Sequence, residues 1–318
     1  MSVYNEPLEW LQRSIDSILS QTFEEFEFII INDNPQRREN KDILEGYSKR
    51  DGRISIIENH ENLGLAESLN KGIRQAQGKY IARMDADDIS LPERFELQHR
   101  FLEKHKDIFL VGTSAQIMDR NGLLREKTIM QGSHKRIVDN ILAWKLAFYH
   151  SSIMFRSDGF LYRDKLNTVE DYDLYLNLLS KGKRFSNIKE VCLNYRMSGQ
   201  GISMTKKRRQ VILGKLALKF YYEKLQNGCD SYDKLDFNDE EQLVKFIGIP
   251  LDKLEAEVFR EKTVFALGIG DYEAARQAFQ CYKKYNTPKT GKLILWLFLT
   301  FPLLYGLYRK LRYEILKL

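Results

Sequence analysis

Apolar positions along the first two hundred residues switch between helical and extended spacing. Leu8, Leu11, Ile15, Ile18 and Leu19 fall on one helical face. Asn5 is placed to cap that helix, with Pro7 in its first turn. The apolar run Phe26 to Ile31 stops at Asn32-Asp33-Asn34-Pro35, which predicts a buried parallel strand and a turn. Leu65, Leu69, Ile73 and Ala76 mark a second helix, closed by Gly78, and Tyr80 to Met84 is the next strand. Ser90-Leu-Pro-Glu93 has the form of a capping box, opening a helix through Phe95, Leu97, Phe101 and Leu102. Further on, Ser151 to Phe155 reads as a strand. Thr168-Val-Glu-Asp171 precedes a helix with Leu174, Leu178 and Leu179 inward. Val191 to Arg196 reads as a last strand before the Gly-rich turn Ser198–Gly201. Repeated strand–helix units predict an α/β fold with a mostly parallel sheet flanked by helices, and ligands in such folds bind beyond the carboxyl ends of the strands.

After about residue 205 the pattern turns helical. Helices are expected around 206–226, 239–247, 251–267 and 271–285, the first opening on the basic run Lys206-Lys-Arg-Arg209. The stretch Leu293 to Tyr308 carries no charge and is flanked by Lys289 and Lys292 before it and Arg309, Lys310 and Arg312 after it. It falls short of the ~20 residues that span a bilayer, and Pro302 and Gly306 would bend it. A segment lying in the cytoplasmic leaflet is expected, its basic flank on anionic headgroups and Trp296, Tyr305 and Tyr308 at the interface. The alternative is a terminal helix packed on the protein. The division predicted is 1–204, 205–290 and 291–318.

Bulk composition narrows the class. With 318 residues, 43% hydrophobic and 30% charged, the chain is expected to bury a core. The 50 basic and 44 acidic residues leave a net charge of +6, which fits an anionic small substrate or membrane surface and does not argue for nucleic acid. Cys192, Cys229 and Cys281 are far apart and form no CxxC pair, so reduced thiols of a cytoplasmic protein are expected. Met1 runs directly into domain-like sequence, and no signal peptide is expected.

The candidate chemistry lies at two strand ends and one helix start. Asp85, Asp87 and Asp88 follow the strand Tyr80–Met84 at once, and carboxylates so crowded repel one another unless a cation or donor lies between them. Hard oxygen ligands suit Mn²⁺ or Mg²⁺, which complete their shell with water and substrate phosphates. Asp33 also lies at a strand end. Asp171 sits at a helix start beside Glu170, where the plain alternative is a Thr168-x-x-Asp171 capping box.

The fragments Ser2-Val-Tyr-Asn-Glu6, Ser17-Ile-Leu-Ser-Gln-Thr22, Phe28-Ile-Ile-Ile-Asn-Asp33, Asn62-Leu-Gly-Leu-Ala66, Gly78 to Asp88, Leu91-Pro-Glu-Arg94, His150-Ser-Ser-Ile-Met154 and Glu170-Asp-Tyr-Asp-Leu174 occur in one order. In that order the chain resembles the family 2 glycosyltransferases of GT-A fold, closest in appearance to bacterial enzymes of capsule, exopolysaccharide and lipopolysaccharide assembly. The resemblance covers roughly the first 200 residues. It implies that Ser2, Tyr4 and Asp33 hold the base of a nucleotide-sugar donor, a UDP-sugar. It implies a DxD motif at Asp85-Ala-Asp87, with Asp85 toward the nucleotide and Asp87 on the metal, and Arg83 supporting the diphosphate. Asp171 of the Glu170-Asp171 pair resembles the general base, and His150 matches a residue on the acceptor side. Asn32 stands where the family often has a first Asp, and the first strand is shorter than the family's. No QxxRW signature is present, which implies transfer of a single sugar to a glycan or lipid-linked acceptor. Specificity is expected from loops between 110 and 170. Two other readings compete. One is a phosphohydrolase, since Met84-Asp-Ala-Asp-Asp-Ile89 also resembles a DxD nucleophile motif. The other is an inactive membrane-peripheral binding protein.

Overall fold

The computed structural model describes residues 1–197, 206–301 and 304–305. The chain divides into two compact units, Met1–Arg196 and Met197–Leu318. The Gly-rich turn Ser198–Gly201, the predicted boundary at 204 and the basic flank Arg309, Lys310 and Arg312 lie outside the described residues.

The first unit opens with β1 (Ser2–Val3), α1 (Leu8–Leu19), β2 (Phe28–Asn32), α2 (Arg38–Ser48) and β3 (Ile54–Glu58). Helices cross between the strands, so β1, β2 and β3 pair in parallel, with Ser2 opposite Ile31 and Ile31 opposite Ile57. All five residues of β2 are buried, as its unbroken apolar run requires. There follow α3 (Leu65–Gln75), β4 (Tyr80–Ala82), β5 (Ile89–Ser90), α4 (Arg94–Lys104), β6 (Ile108–Asp119), β7 (Leu124–Thr128), α5 (His134–Leu142), β8 (Met154–Arg156), α6 (Glu170–Ser180) and β9 (Arg184–Met197). They build a second sheet in the order β4-β8-β6-β9-β5, with β7 on β6. The β4–β8, β6–β8, β6–β7 and β5–β9 pairs are antiparallel.

Several local expectations change. Helix α1 starts from Pro7, whose carbonyl accepts from Trp10 N and Leu11 N, and Asn5 is not its cap. Ser90 does not cap α4. It lies in β5, and its Oγ accepts from Gln21 Nε2 at 3.1 Å. Helix α6 likewise starts from Val169, without a side-chain cap. The span expected to be loop from 110 is β6 and β7 in its first part. Gly112, Thr113 and Ser114 interrupt β6's apolar run and hide it from a reading by hydrophobicity, yet all three are buried. Their polar groups are satisfied by residues distant in the chain: Thr113 N donates to Ser152 Oγ, and Ser114 Oγ accepts from Met130 N.

Beneath the carboxyl ends of β2 and β4 lies a cavity of about 330 Å³, lined by residues of β2 and β4 and by Leu69, Ile73, Phe95 and Phe155. On β4, Arg83 N donates to Ile153 O and Ser157 N to Lys79 O. Odd positions therefore face β8, and the backbone groups of Tyr80 and Ala82 face the other way, toward β2.

The second unit holds α7 (Lys207–Asn227), α8 (Glu240–Ile247), α9 (Leu251–Ile269), α10 (Tyr272–Lys283) and α11 (Lys289–Thr300). Gly270, at φ 80°, turns α9 into α10, and Asp271 caps α10 by accepting from Ala274 N at 3.0 Å. Leu295 and Leu299 of α11 pack with Leu267, Phe279 and Tyr282, while Leu293, Ile294 and Trp296 are exposed. The start of the apolar tail is thus a helix with one face packed and the other open. Among the described residues no helix is long and apolar enough to cross a membrane.

Candidate active site

The segment Arg83–Asp88 leaves the end of β4 and is tied down on every side. Asp85 N donates to Ser151 Oγ at 2.9 Å, and Asp85 O accepts from Ser14 Oγ at 2.8 Å. Asp85 also forms a parallel bridge with Ser2. The fully buried Arg94 reaches up from α4 and donates to Arg83 O at 2.7 Å. At the far end Asp88, only 1% exposed, accepts from Arg196 N at 2.7 Å. So constrained, Asp85, Asp87 and Asp88 place one carboxylate oxygen each within 4.8 Å of one another.

Charge crowding sets their protonation. Burial, then the charges of Asp85 and Glu6, push Asp87 up to about 7. Burial and the neighbouring carboxylates raise Asp88 well above its ordinary value. Asp85 pairs with Arg83 Nη1. Burial opposes the Arg83 cation, but Asp85 outweighs it and holds Arg83 above its ordinary range. The donor set consists of hard carboxylate oxygens, and one of them, Asp88 Oδ2, is buried with no hydrogen-bond partner among the described residues. These residues fit a divalent cation.

Asp33 is on the same edge of the parallel sheet. Strand β1 lies between Ile31 of β2 and Asp85, so Ile31 and Asp85 are about 10 Å apart, two strand spacings. The Asp33 carboxylate is 2% exposed and accepts from Asn59 Nδ2, Leu63 N and Gly64 N at 2.8 to 2.9 Å. It thereby shapes the Asn59–Gly64 turn, where Gly64 has φ 81°. Tyr4 is held by its backbone, donating to Glu6 Oε2 and accepting from Asn40 Nδ2, with its side chain exposed.

The third group comes from α6 and the loop before it. Asp171 Oδ1 accepts from Tyr172 N at 2.7 Å. Burial raises the Asp171 pKa, the Arg83 cation lowers it and the Asp85 anion raises it, so the α6 start and the Asp85 loop act on one another. Burial and the charge of Asp171 push Glu170 up to about 7. Tyr162 stands among Arg83, Asp85, Glu170 and Asp171, all of which shift it, and its hydroxyl is 2.8 Å from His150 Nε2. Burial, then Arg83, hold His150 well below its ordinary value, so it is neutral at pH 7. Asn70 fixes Tyr162 by a reciprocal pair of backbone bonds at 2.9 and 2.8 Å, and Arg163 Nε donates to the buried Asp173.

The sequence-predicted positions Arg83, Asp85, Asp87, His150, Glu170 and Asp171 are therefore linked through one charge network, with Ser2, Tyr4 and Asp33 along its sheet edge. Asp88, read from the sequence as one of the crowded carboxylates, belongs to it as well, whereas Glu6, Tyr162 and Arg196 are members that the sequence reading does not supply. Glu6 and Asp88 stand within recognised motifs, whereas Tyr162 and Arg196 carry no motif signal.

Comparison with known proteins agrees with this geometry. The chain is 34% identical over 235 residues to an uncharacterized glycosyltransferase of Methanocaldococcus jannaschii, covering 73% of this chain and 81% of that one. It is 33% identical over 245 residues to the O-antigen biosynthesis glycosyltransferase WbnJ of Escherichia coli, covering 75% and 88%. Among solved structures it resembles S. aureus TarS 1–349 in complex with UDP-GlcNAc, with a TM-score of 0.55 at 14% identity over 89% of this chain and 90% of that one. At that identity the likeness shows the fold, which is GT-A-like. The family model for glycosyl transferase family 2 matches residues 1–164, about half of the chain. That match removes the phosphohydrolase reading: the chain belongs to glycosyl transferase family 2 and is a glycosyltransferase.

Proposed function

We propose that the protein transfers a single sugar, with inversion, from a UDP-sugar to a hydroxyl of a glycan or lipid-linked acceptor, using Mn²⁺ or Mg²⁺, in surface-polysaccharide biosynthesis. The observation that carries the proposal is the electrostatic linkage of the α6 carboxylates to the Arg83–Asp88 segment across one site. The names of relatives in O-antigen and amylovoran biosynthesis support the pathway class. The UDP and UDP-GlcNAc complexes of the fold neighbour support the donor. In this reading residues 1–204 are the catalytic domain, 205–290 a helical region, and 291–318 a tail that rests on the inner leaflet at the cytoplasmic face. The open face of α11 supports the last assignment.

Asp87 and Asp85 would hold the cation, which when bound supplies Lewis acidity toward the diphosphate. Arg83 adds a buried positive charge beside the departing phosphates. Ser2, Tyr4 and Asp33 line the edge where the base is expected. As the acceptor hydroxyl attacks C1, its proton passes to the Asp171 carboxylate, the C1–O bond to the diphosphate breaks, and its electron pair leaves with the nucleotide. Neutral His150 and Tyr162, hydrogen-bonded to each other, bound the acceptor side.

The test is nucleotide release from a panel of nucleotide sugars with and without Mn²⁺. Metal-dependent release with a UDP-sugar, abolished in Asp87→Ala and reduced at least about 100-fold in Asp171→Asn, is the expected result. Full release by Asp171→Asn would refute the assignment of the base.

A further inference from the structure

Arg196 meets the carboxylate loop through its guanidinium at a main-chain carbonyl and through its own backbone N at one oxygen of Asp88, and among the described residues it forms no bond to the Asp87 carboxylate. Its Nε donates to Asp87 O at 2.7 Å, its backbone N donates to Asp88 Oδ1 at 2.7 Å, and its Nη1 lies 3.3 Å from both Asp119 O and Arg120 O. The guanidinium lies 4.4 Å from the centre of the Trp10 ring on α1. One side chain thus joins α1, the 85–88 segment, the β6–β7 turn and the end of β9. Among the described residues it forms no ion pair, although Asp87 and Asp88 are close enough for their charges to act on it. A cation that took the Asp87 carboxylate directly would occupy the oxygens a metal needs. Held by its carbonyl, Asp87 is oriented while its carboxylate stays available.

We propose that Arg196 is a positioning residue that sets the geometry of the Asp85-Ala-Asp87 carboxylates for a divalent cation. The proposal rests on the metal reading above. Removing groups that orient metal ligands weakens metal binding by roughly 10–100-fold. Arg196→Met keeps the apolar stem and the backbone bond to Asp88, but loses the Asp87 carbonyl tie and the charge stacked on Trp10.

Mn²⁺ titration of the full-length protein, followed by the electron paramagnetic resonance of free Mn²⁺ without donor, reads this directly. Arg196→Met is expected to bind Mn²⁺ roughly 10–100-fold more weakly than wild type, and Arg196→Lys to recover part of the loss. Trp10→Leu removes the stacking face alone, and is expected to weaken binding several-fold should Arg196→Met fail to fold. Wild-type binding matched by folded Arg196→Met or by Trp10→Leu would overturn the positioning role alone. Absence of Mn²⁺ binding by wild type would overturn the metal reading, and this role with it.

Discussion

Glu170→Gln isolates the charge stored at the start of α6. Glu170 is 9% exposed and lies beside Asp171, so burial and that neighbour raise it from 4.5 to about 7. The difference is worth about 3 kcal/mol between the protonated and ionised forms. The sign follows from linkage: the unfolded chain releases this proton near 4.5, and the folded protein keeps it until about 7. Glu170 therefore contributes stability below its unfolded value, and that contribution is lost as pH rises through about 7. Glutamine keeps the shape and does not titrate. The gap in unfolding free energy, variant minus wild type, is expected to widen in the variant's favour by about 3 kcal/mol from about pH 4 to about pH 8.5. Urea unfolding read by tryptophan fluorescence measures it, since the Trp144 ring lies 6.0 Å from the ring of Tyr172 beside Asp171. A gap that stays constant across that range would refute the reasoning, because Glu170 would then titrate alike in both states.

Gly112→Ala should destabilise the first unit by about 1–3 kcal/mol, seen as a lowered Tm. Its Cβ would collide with Asn187 Oδ1 and lie 2.7 Å from Phe148 Cδ1, where buried neighbours have little room to move. Replacing Leu293, Ile294 and Trp296 together by serine should remove the protein from anionic vesicles in co-flotation, with Tm changed little because these side chains are exposed and Leu295 and Leu299 keep the packing. Undiminished flotation would sink the membrane assignment of the tail.

What the sequence made legible was governed by local rules. Uniform burial wrote β2 as an apolar run, and one-sided burial wrote α1 and α3 as faces with a period near 3.6, whereas α6 is buried continuously from Tyr172 to Leu176 and Leu179 is only half-buried. The carboxylates could be read because crowded like charges need a reason. Elements closed by polar bonds at long range stayed hidden. Strand β6 is satisfied partly by Ser152 and Met130, and β9 begins seven residues before the predicted Val191 because its buried positions do not alternate. Arg196 could not be placed, since its partners Asp87 and Asp119 lie 109 and 77 positions away in the chain. The capping boxes at Ser90 and Thr168 failed because the residues that flank the helix starts are Glu93 and Val169, which leaves Ser90 and Thr168 too early in the chain to cap.

The hollow under the sheet edge makes the Arg83–Asp88 segment respond to forces that bypass its carboxylates. With β8 on one flank of β4 and about 330 Å³ of greasy space bordering the other, the strand that carries Arg83 has less to lean on than its neighbours. A benzene-sized guest seated against its apolar wall should stiffen that strand. It would retune the acidic loop from below without touching one of its carboxylates.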